Sequence, residues 1–255
     1  MTAVRIAHLY PRHMNLYGDR GNVLCLQNRC RWRGIDVTVT DVEVGDPLDP
    51  DAFDLIFVGG GPDREQQRVA GDLLDRKAAP LRTAVERGVV LLAVCGGYQL
   101  LGRYYRPGEG ADLPGLGLLD LTTEHPGHQA ARCIGNLTAT WGDTTLVGFE
   151  NHGGRTHLGP GCRPLAHVTK GFGNNGQDGT EGAMQGSVYG TYLHGSFLPK
   201  NPVFTDHLLA QALQHAGAAP GPLAPLDDTL ELRANATAVR LASERLNTGL
   251  FGWRI

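Results

Sequence analysis

The sequence predicts an α/β fold: a mostly parallel central sheet flanked by helices, with an added β-rich segment and a C-terminal helix. Three observations lead there. Strand and helix signals alternate from Val4 to Tyr105, the order that builds a parallel sheet with helices on both faces. Val89–Val94 is an unbroken apolar run, as expected of a strand buried on both sides. From Gly108 to Gly190 the chain changes character and becomes rich in glycine and β-forming residues.

Val4–Tyr10 predicts the first strand. Gly21–Arg33 carries Val23, Leu24, Leu26 and Trp32 and predicts a helix closed by Gly34. Val37–Val42 alternates and predicts a short strand. Asp54–Val58 predicts another, stopped by Gly59-Gly60-Gly61. Asp63–Arg87 predicts one or two helices, interrupted near Pro80 because proline has no N–H to give. After the Val89–Val94 strand, Gly97–Tyr105 predicts the next helix. Ile134–Trp141, Thr145–Phe149 and Val188–Leu193 predict strands, and Asn201–Ala216 a helix. Pro220–Pro225 is a hinge-like loop. Beyond it, Leu232, Ala236, Val239 and Leu246 recur at helical spacing behind an Asp228 or Thr229 cap. The expected organisation is one domain over residues 1–218 with a helical appendage over residues 219–255.

Composition narrows the class. A 255-residue chain that is 41% hydrophobic can build a real core. The net charge of −3 is spread along the chain, with no basic block of the kind that binds nucleic acid or anionic lipid. The longest apolar run, Val89–Cys95, is far too short to cross a membrane. MTAVRIAHLY lacks the marks of a signal peptide. Cys25, Cys30, Cys95, Cys133 and Cys162 are odd in number and irregularly spaced, without a CxxC pair. A cytoplasmic location is the expectation.

The sharpest chemical feature is Leu91-Leu92-Ala93-Val94-Cys95-Gly96-Gly97-Tyr98-Gln99-Leu100. A buried strand runs straight into Cys95, and a glycine pair opens the next helix. That is the layout of a nucleophile elbow with cysteine in place of serine. The helix N-terminus favours the thiolate, and the Gly96 N–H can face an oxyanion. An isolated cysteine at a strand end is more often an inert packing residue; the flanking glycines argue otherwise here. A thiol nucleophile needs a base. His194, in Tyr189-Gly190-Thr191-Tyr192-Leu193-His194, stands where a strand ends, the place where ligand sites form in parallel sheets. By position alone a surface histidine is an equal reading. The Gly59-Gly60-Gly61 turn also ends a strand and can supply a second oxyanion N–H. It is no phosphate loop, since no Gly-Lys-Ser/Thr follows. Arg132 alone reads as a surface charge, and Phe149–Thr156 as a polar turn. A metal site from His125, His128, His152 or His157 lacks any ligand-spaced motif.

Together these strings resemble a type 1 glutamine amidotransferase. The carriers are VCGGYQLLG around Cys95, the glycine turn at 59–61, YLHGSFLP around His194, and about a hundred residues between Cys95 and His194. More narrowly they resemble the cobyric-acid-synthase-like branch, which lacks the glutamate two residues after the histidine; here that position is Ser196. LYGDRGN (16–22), GGGPDREQ (59–66), GFENHGGRT (148–156) and GTYLHGSFLPKN (190–201) resemble the GatD-type glutaminase subunits of lipid II isoglutaminyl synthases, from about residue 4 to about residue 216.

The resemblance implies a class I glutamine amidotransferase-like fold and a mechanism. Cys95 would attack the carboxamide of L-glutamine, and His194 would protonate ammonia and later activate water. Gly60 and Gly96 would hold the oxyanion. Arg132 would bind the α-carboxylate, with Gln99, Asn151, His152 and Gly153 as further substrate contacts. It implies no cofactor or metal in this chain, with ATP and magnesium held by a MurT-type, Mur-ligase-like partner in a heterodimer. That partner would use the ammonia on lipid II. The acid that orients His194 is expected from the partner, because Ser196 cannot supply it, with Asp19 as the alternative within this chain. The competing readings are an amidotransferase for a corrinoid acceptor, a stand-alone γ-glutamyl thiol hydrolase, and a non-catalytic subunit with a decayed site.

Overall fold

The computed structural model describes residues 3–127, 129–194, 196–219 and 221–244. The first half runs β1 (Ala3–Leu9), α1 (Arg20–Trp32), β2 (Asp36–Val42), β3 (Leu55–Val58), α2 (Asp63–Asp72), α3 (Ala78–Glu86), β4 (Val90–Val94) and α4 (Gly96–Leu101). The middle holds short strands: β5 (Tyr104–Arg106), β6 (Leu113–Pro114), β7 (Leu121–Glu124), β8 (Cys133–Trp141), β9 (Thr144–His152), β10 (Arg155–Leu158), β11 (Ala166–Lys170) and β12 (Thr180–Glu181). The chain returns through β13 (Ala183–Gln185) and β14 (Val188–Thr191) to α5 (Pro202–His215) and α6 (Thr229–Glu244).

The central sheet has the order β13-β14-β4-β3-β1-β2. Five strands are parallel, and β13 is an antiparallel edge. Every residue of β3, β4 and β14 is buried, which explains their apolar runs. Two four-stranded sheets, β10-β7-β5-β6 and β12-β11-β8-β9, form the added β-rich segment.

Register decides where the site falls. Val58 pairs with Ala93, and Thr191 pairs with Val94. The C-terminal ends of β3, β4 and β14 are therefore level and adjacent. The residues just beyond those ends, namely the glycines at 59–61, Cys95 and His194, are brought together.

Two expectations need correction. The helix expected over Gly97–Tyr105 stops at Leu101, and Tyr104–Arg106 is a strand. Gly102 takes an extended conformation against Leu121, where a Cβ would lie 2.3 Å from Leu121 Cδ1. The strand expected to end at Phe149 continues to His152. The polar run at 150–152 is thus an edge of the β8–β9 hairpin rather than a turn. The expected two helices with an interruption near Pro80 are present, α2 and α3 being separated by a π-helical stretch, Leu73–Lys77. The wider turn precedes Pro80, which cannot donate to the Arg76 carbonyl.

The tail is tied to the domain. Arg29, 1% exposed, binds both Asp206 of α5 and Asp228 before α6. Asn235 donates to the carbonyls of Thr145 and Lys200 at 3.0 and 2.9 Å. The carboxylate that reaches the start of α6 is Asp227, at Thr229 N, because Asp228 is held by Arg29. Leu246, Pro220 and His128 lie outside the described residues. No helix among the described residues is long and apolar enough to cross a membrane.

Candidate active site

Cys95 sits between β4 and α4 with φ 49° and ψ −105°, a conformation that a side chain rarely adopts. Its N–H donates to Thr191 O at 2.8 Å, and its carbonyl accepts from Gln99 N at 2.9 Å. Both ends of the strained residue are thereby pinned, the condition under which such strain persists. The backbone behind it is crowded. A Cβ on Gly96 would meet Gly61 O at 2.7 Å and Gly61 N at 2.9 Å. One on Gly97 would meet Gly59 O at 2.8 Å. The glycine pair lets two strand ends touch through their backbones.

The triple glycine has the same cause. A Cβ at Gly59 would strike Met14 O at 2.2 Å, at Gly60 His194 Cε1 at 2.5 Å, and at Gly61 Met14 Sδ at 2.6 Å. The Gly60 position is also 3.3 Å from Cys95 Cβ and 3.2 Å from Asp19 Oδ2. Cys95, His194, Asp19 and Gly60 are thus one cluster.

His194 is fully buried, and its backbone is bridged to Phe149 of β9 in both directions. Its Nδ1 faces Asp19 Oδ1 at 3.3 Å, and Asp19 is itself fully buried. The Nε2 atom is buried with no hydrogen-bond partner among the described residues. Burial disfavours a charge on this ring, but the neighbouring charges of Cys95 and Asp19 outweigh it and lift His194 to about 10. The expectation of a partner carboxylate is corrected here: Asp19, the alternative within this chain, already faces His194 Nδ1. Ser196, with φ 51°, turns its hydroxyl to Gly18 O at 3.1 Å instead of toward the imidazole.

Gly60 does not fit the oxyanion role. Its N–H already donates to Asp19 Oδ2 at 2.6 Å. The neighbouring Gly61 N–H has no such bond among the described residues and lies against Gly96. The pair of N–H groups open to an oxyanion is consequently Gly61 and Gly96.

A cavity of about 640 Å³, within the range of small-molecule sites, opens over Cys95; His194, Asp19 and Gly60 are not in its lining. Cys95, Gln99, Arg132, Asn151, His152 and Gly153 all line it, as do Tyr17, Gly61 and Gln66. The structure thus gathers every expected contact residue into one space. Their availability differs. Arg132 is exposed, and Asn151 holds it: Oδ1 accepts from Nε at 3.0 Å, and the Asn151 carbonyl from Nη2 at 3.2 Å. Asn151 Nδ2 donates to Tyr17 OH at 2.5 Å. Asn151 thus supports Arg132, and its amide keeps a second N–H and a second lone pair on the cavity lining. Tyr17 in turn lies edge-on to His194, ring centroids 5.1 Å apart. His152 stacks on Tyr192 at 3.6 Å, and burial keeps its pKa below the usual value. Its Nδ1 meets Gly154 O at 2.8 Å. Gln99 bonds Gln66 and Tyr192 through its amide.

A thiol at an elbow, an imidazole beside it, a carboxylate on the far ring nitrogen and two open N–H groups can perform acyl transfer. Sequence reasoning missed Gly61, Gln66 and Tyr17 as members of the site. All three stand in the strings GGGPDREQ and LYGDRGN, but which side chain faces the cavity depends on contacts between distant segments.

Residues 5–202 match the model of the CobB/CobQ-like glutamine amidotransferase domain. The chain is 40% identical over 247 residues to the GatD subunit of the glutamine-hydrolysing lipid II isoglutaminyl synthase of Staphylococcus aureus, covering 96% of this chain and 98% of that protein. It is 39% identical over 213 residues to the GatD subunit of Streptococcus pneumoniae, covering 83% and 81%. A cobyric acid synthase of Pelotomaculum thermopropionicum is 36% identical over 200 residues, covering 71% of this chain but 36% of that protein. In fold, the chain is similar to PurLQS from Thermotoga maritima, with TM-score 0.57, 16% identity, and coverage of 85% and 97%. The chain therefore belongs to the CobB/CobQ-like glutamine amidotransferase family.

Proposed function

We propose that this protein is the glutaminase subunit of a lipid II isoglutaminyl synthase. One observation carries the reading: the match to the S. aureus GatD subunit spans nearly the whole of both chains. The cobyric acid synthases, by contrast, are much longer than the segment they share. In this reading the Cys95 thiolate attacks the carboxamide carbon of L-glutamine. The Gly61 and Gly96 N–H groups hold the oxyanion. His194, oriented by Asp19, gives a proton to the departing nitrogen, and ammonia leaves with a γ-glutamyl thioester behind. His194 then takes a proton from water, which releases glutamate and restores the thiol. Arg132 pairs with the α-carboxylate of glutamine.

Ammonia released to water would be lost to the synthesis. A MurT-type, Mur-ligase-like partner in a heterodimer, holding ATP and magnesium, would receive it and convert the D-glutamate of the lipid II stem peptide to D-isoglutamine. The cytoplasm is the compartment for this step.

The test is a glutaminase assay on the full chain, alone and with the co-purified ligase-like partner. Glutamate release by wild type and its loss in Cys95→Ala are expected. Retained hydrolysis in Cys95→Ala would overturn the nucleophile. Amidation of a corrinoid and not of lipid II by the complex would overturn the acceptor.

A further inference from the structure

Gln66 is buried at 2% exposure in α2, lines the cavity beside Cys95, and has no part in the chemistry above. Its Nε2 donates to Gly61 O at 3.2 Å and to Gln99 Oε1 at 3.0 Å. A backbone carbonyl can only accept, so the nitrogen of this amide must be the atom facing Gly61. The orientation is set by chemistry, and Oε1 is left over. That oxygen is buried and has no partner among the described residues. An acceptor in that state costs about 1–3 kcal/mol, which calls for a donor to meet it. The Gln66 Cδ lies 3.1 Å from the point that a Cβ on Gly96 would occupy. The amide that carries the orphan therefore packs against Gly96, and Gln66 shares the cavity lining with Cys95 and Gly61.

Resting on the glutaminase reading, we propose that Gln66 is a specificity-determining residue whose Oε1 accepts an N–H of the scissile carboxamide. The oxyanion donors are blind to the leaving group, because an amide, an ester and an acid all present a carbonyl oxygen to them. Only the carboxamide presents an N–H at its other end. Glutamate offers a carboxylate there, which Oε1 repels; a γ-ester offers no donor. Gln66 thereby selects glutamine over its own hydrolysis product and disfavours rebinding of glutamate. Gln99 is a positioning residue in the same device, since its Oε1 fixes the Gln66 nitrogen and its Nε2 is held by Tyr192 OH at 3.2 Å.

The experiment compares two substrates on the full chain, L-glutamine and the γ-methyl ester of L-glutamate. Both pass through the same thioester, but only the amide carries N–H. In Gln66→Met, of similar length and without an acceptor, kcat/KM for glutamine should fall roughly ten- to a hundred-fold. Ester hydrolysis should fall by less, since it loses only the Nε2 support of Gly61 and Gln99, whereas the amide also loses the Oε1 acceptor. Inhibition of the ester reaction by glutamate should strengthen in the same variant. Ester turnover also reports folding; if Gln66→Met does not fold, Gln66→Asn withdraws the acceptor by one methylene and serves the same comparison. Equal losses on amide and ester, or no loss on either, would overturn the proposal while leaving the glutaminase intact. A wild type that hydrolyses neither substrate would overturn both readings.

Discussion

The floor and the wall of the cavity are built in different ways. The floor comes from the ends of parallel strands β3, β4 and β14, and its parts touch through backbone. Gly60, Gly96 and Gly97 each have a neighbour within 3 Å of where a Cβ would sit. Asp19 and His194 are fully buried there. The wall comes from the antiparallel β8–β9 hairpin. There the exposed Arg132 is aimed by a chain of side chains through Asn151 to Tyr17, itself 43% exposed. The floor is fixed by steric necessity, whereas the wall is held by polar contacts that water can contest. Substitutions in the floor should therefore act on kcat, and substitutions in the wall on KM.

The largest expected effect tests the floor. Asp19→Asn keeps the shape but removes the charge that orients His194. It should lower kcat on the order of 10²–10⁴-fold, with KM little changed, in steady-state glutaminase kinetics. A loss confined to KM would break the division between floor and wall. A smaller effect tests the wall. Asn151→Ala frees the Arg132 Nε and the Tyr17 hydroxyl, and should raise KM for glutamine roughly tenfold at nearly unchanged kcat. If kcat falls as far as it does in Asp19→Asn, the hairpin is part of the catalytic floor after all.

The smallest effect is on stability. His194 is lifted from 6.5 to about 10 by Cys95 and Asp19 against the cost of burial. Below about pH 6.5 folded and unfolded chains both hold this proton, and its contribution is complete. Between there and about pH 10 only the folded chain holds it, so the contribution is lost as pH rises. The stability advantage of wild type over His194→Gln, read from denaturant midpoints, should shrink across that interval. An advantage that grows with pH would mean that the imidazole is neutral in the folded chain.

Much of the floor was legible in the sequence. A buried strand running into Cys95-Gly96-Gly97 carries its own turn, because the apolar run, the elbow and the glycines are neighbours in the chain. The same holds for Gly59-Gly60-Gly61 after β3. The assignment of the oxyanion donor was one residue off, since Gly60 and Gly61 look alike until Asp19 is seen to take the Gly60 N–H. The wall was harder. The run at 150–152 looks like a polar turn, and its membership of β9 depends on pairing with residues 133–135 across the hairpin. The short helix α4 was overextended for a similar reason, as its end is set by packing of Gly102 on Leu121.

The sequence by itself determined the alternating α/β layout, the elbow at Cys95 and the strand-end position of His194. Each is encoded by residues close together in the chain, where periodicity and glycine placement report directly on backbone geometry. Tertiary structure alone decided which carboxylate meets His194, which glycine N–H remains open, and that Gln66 is left with an unmatched oxygen. Asp19 and His194 are separated by 175 positions, and Tyr17 and Asn151 by 134. Contacts of that range depend on how strands register and loops close over them. No local pattern carries that information, because the same side chain in the same string is spent or free according to what the fold sets against it.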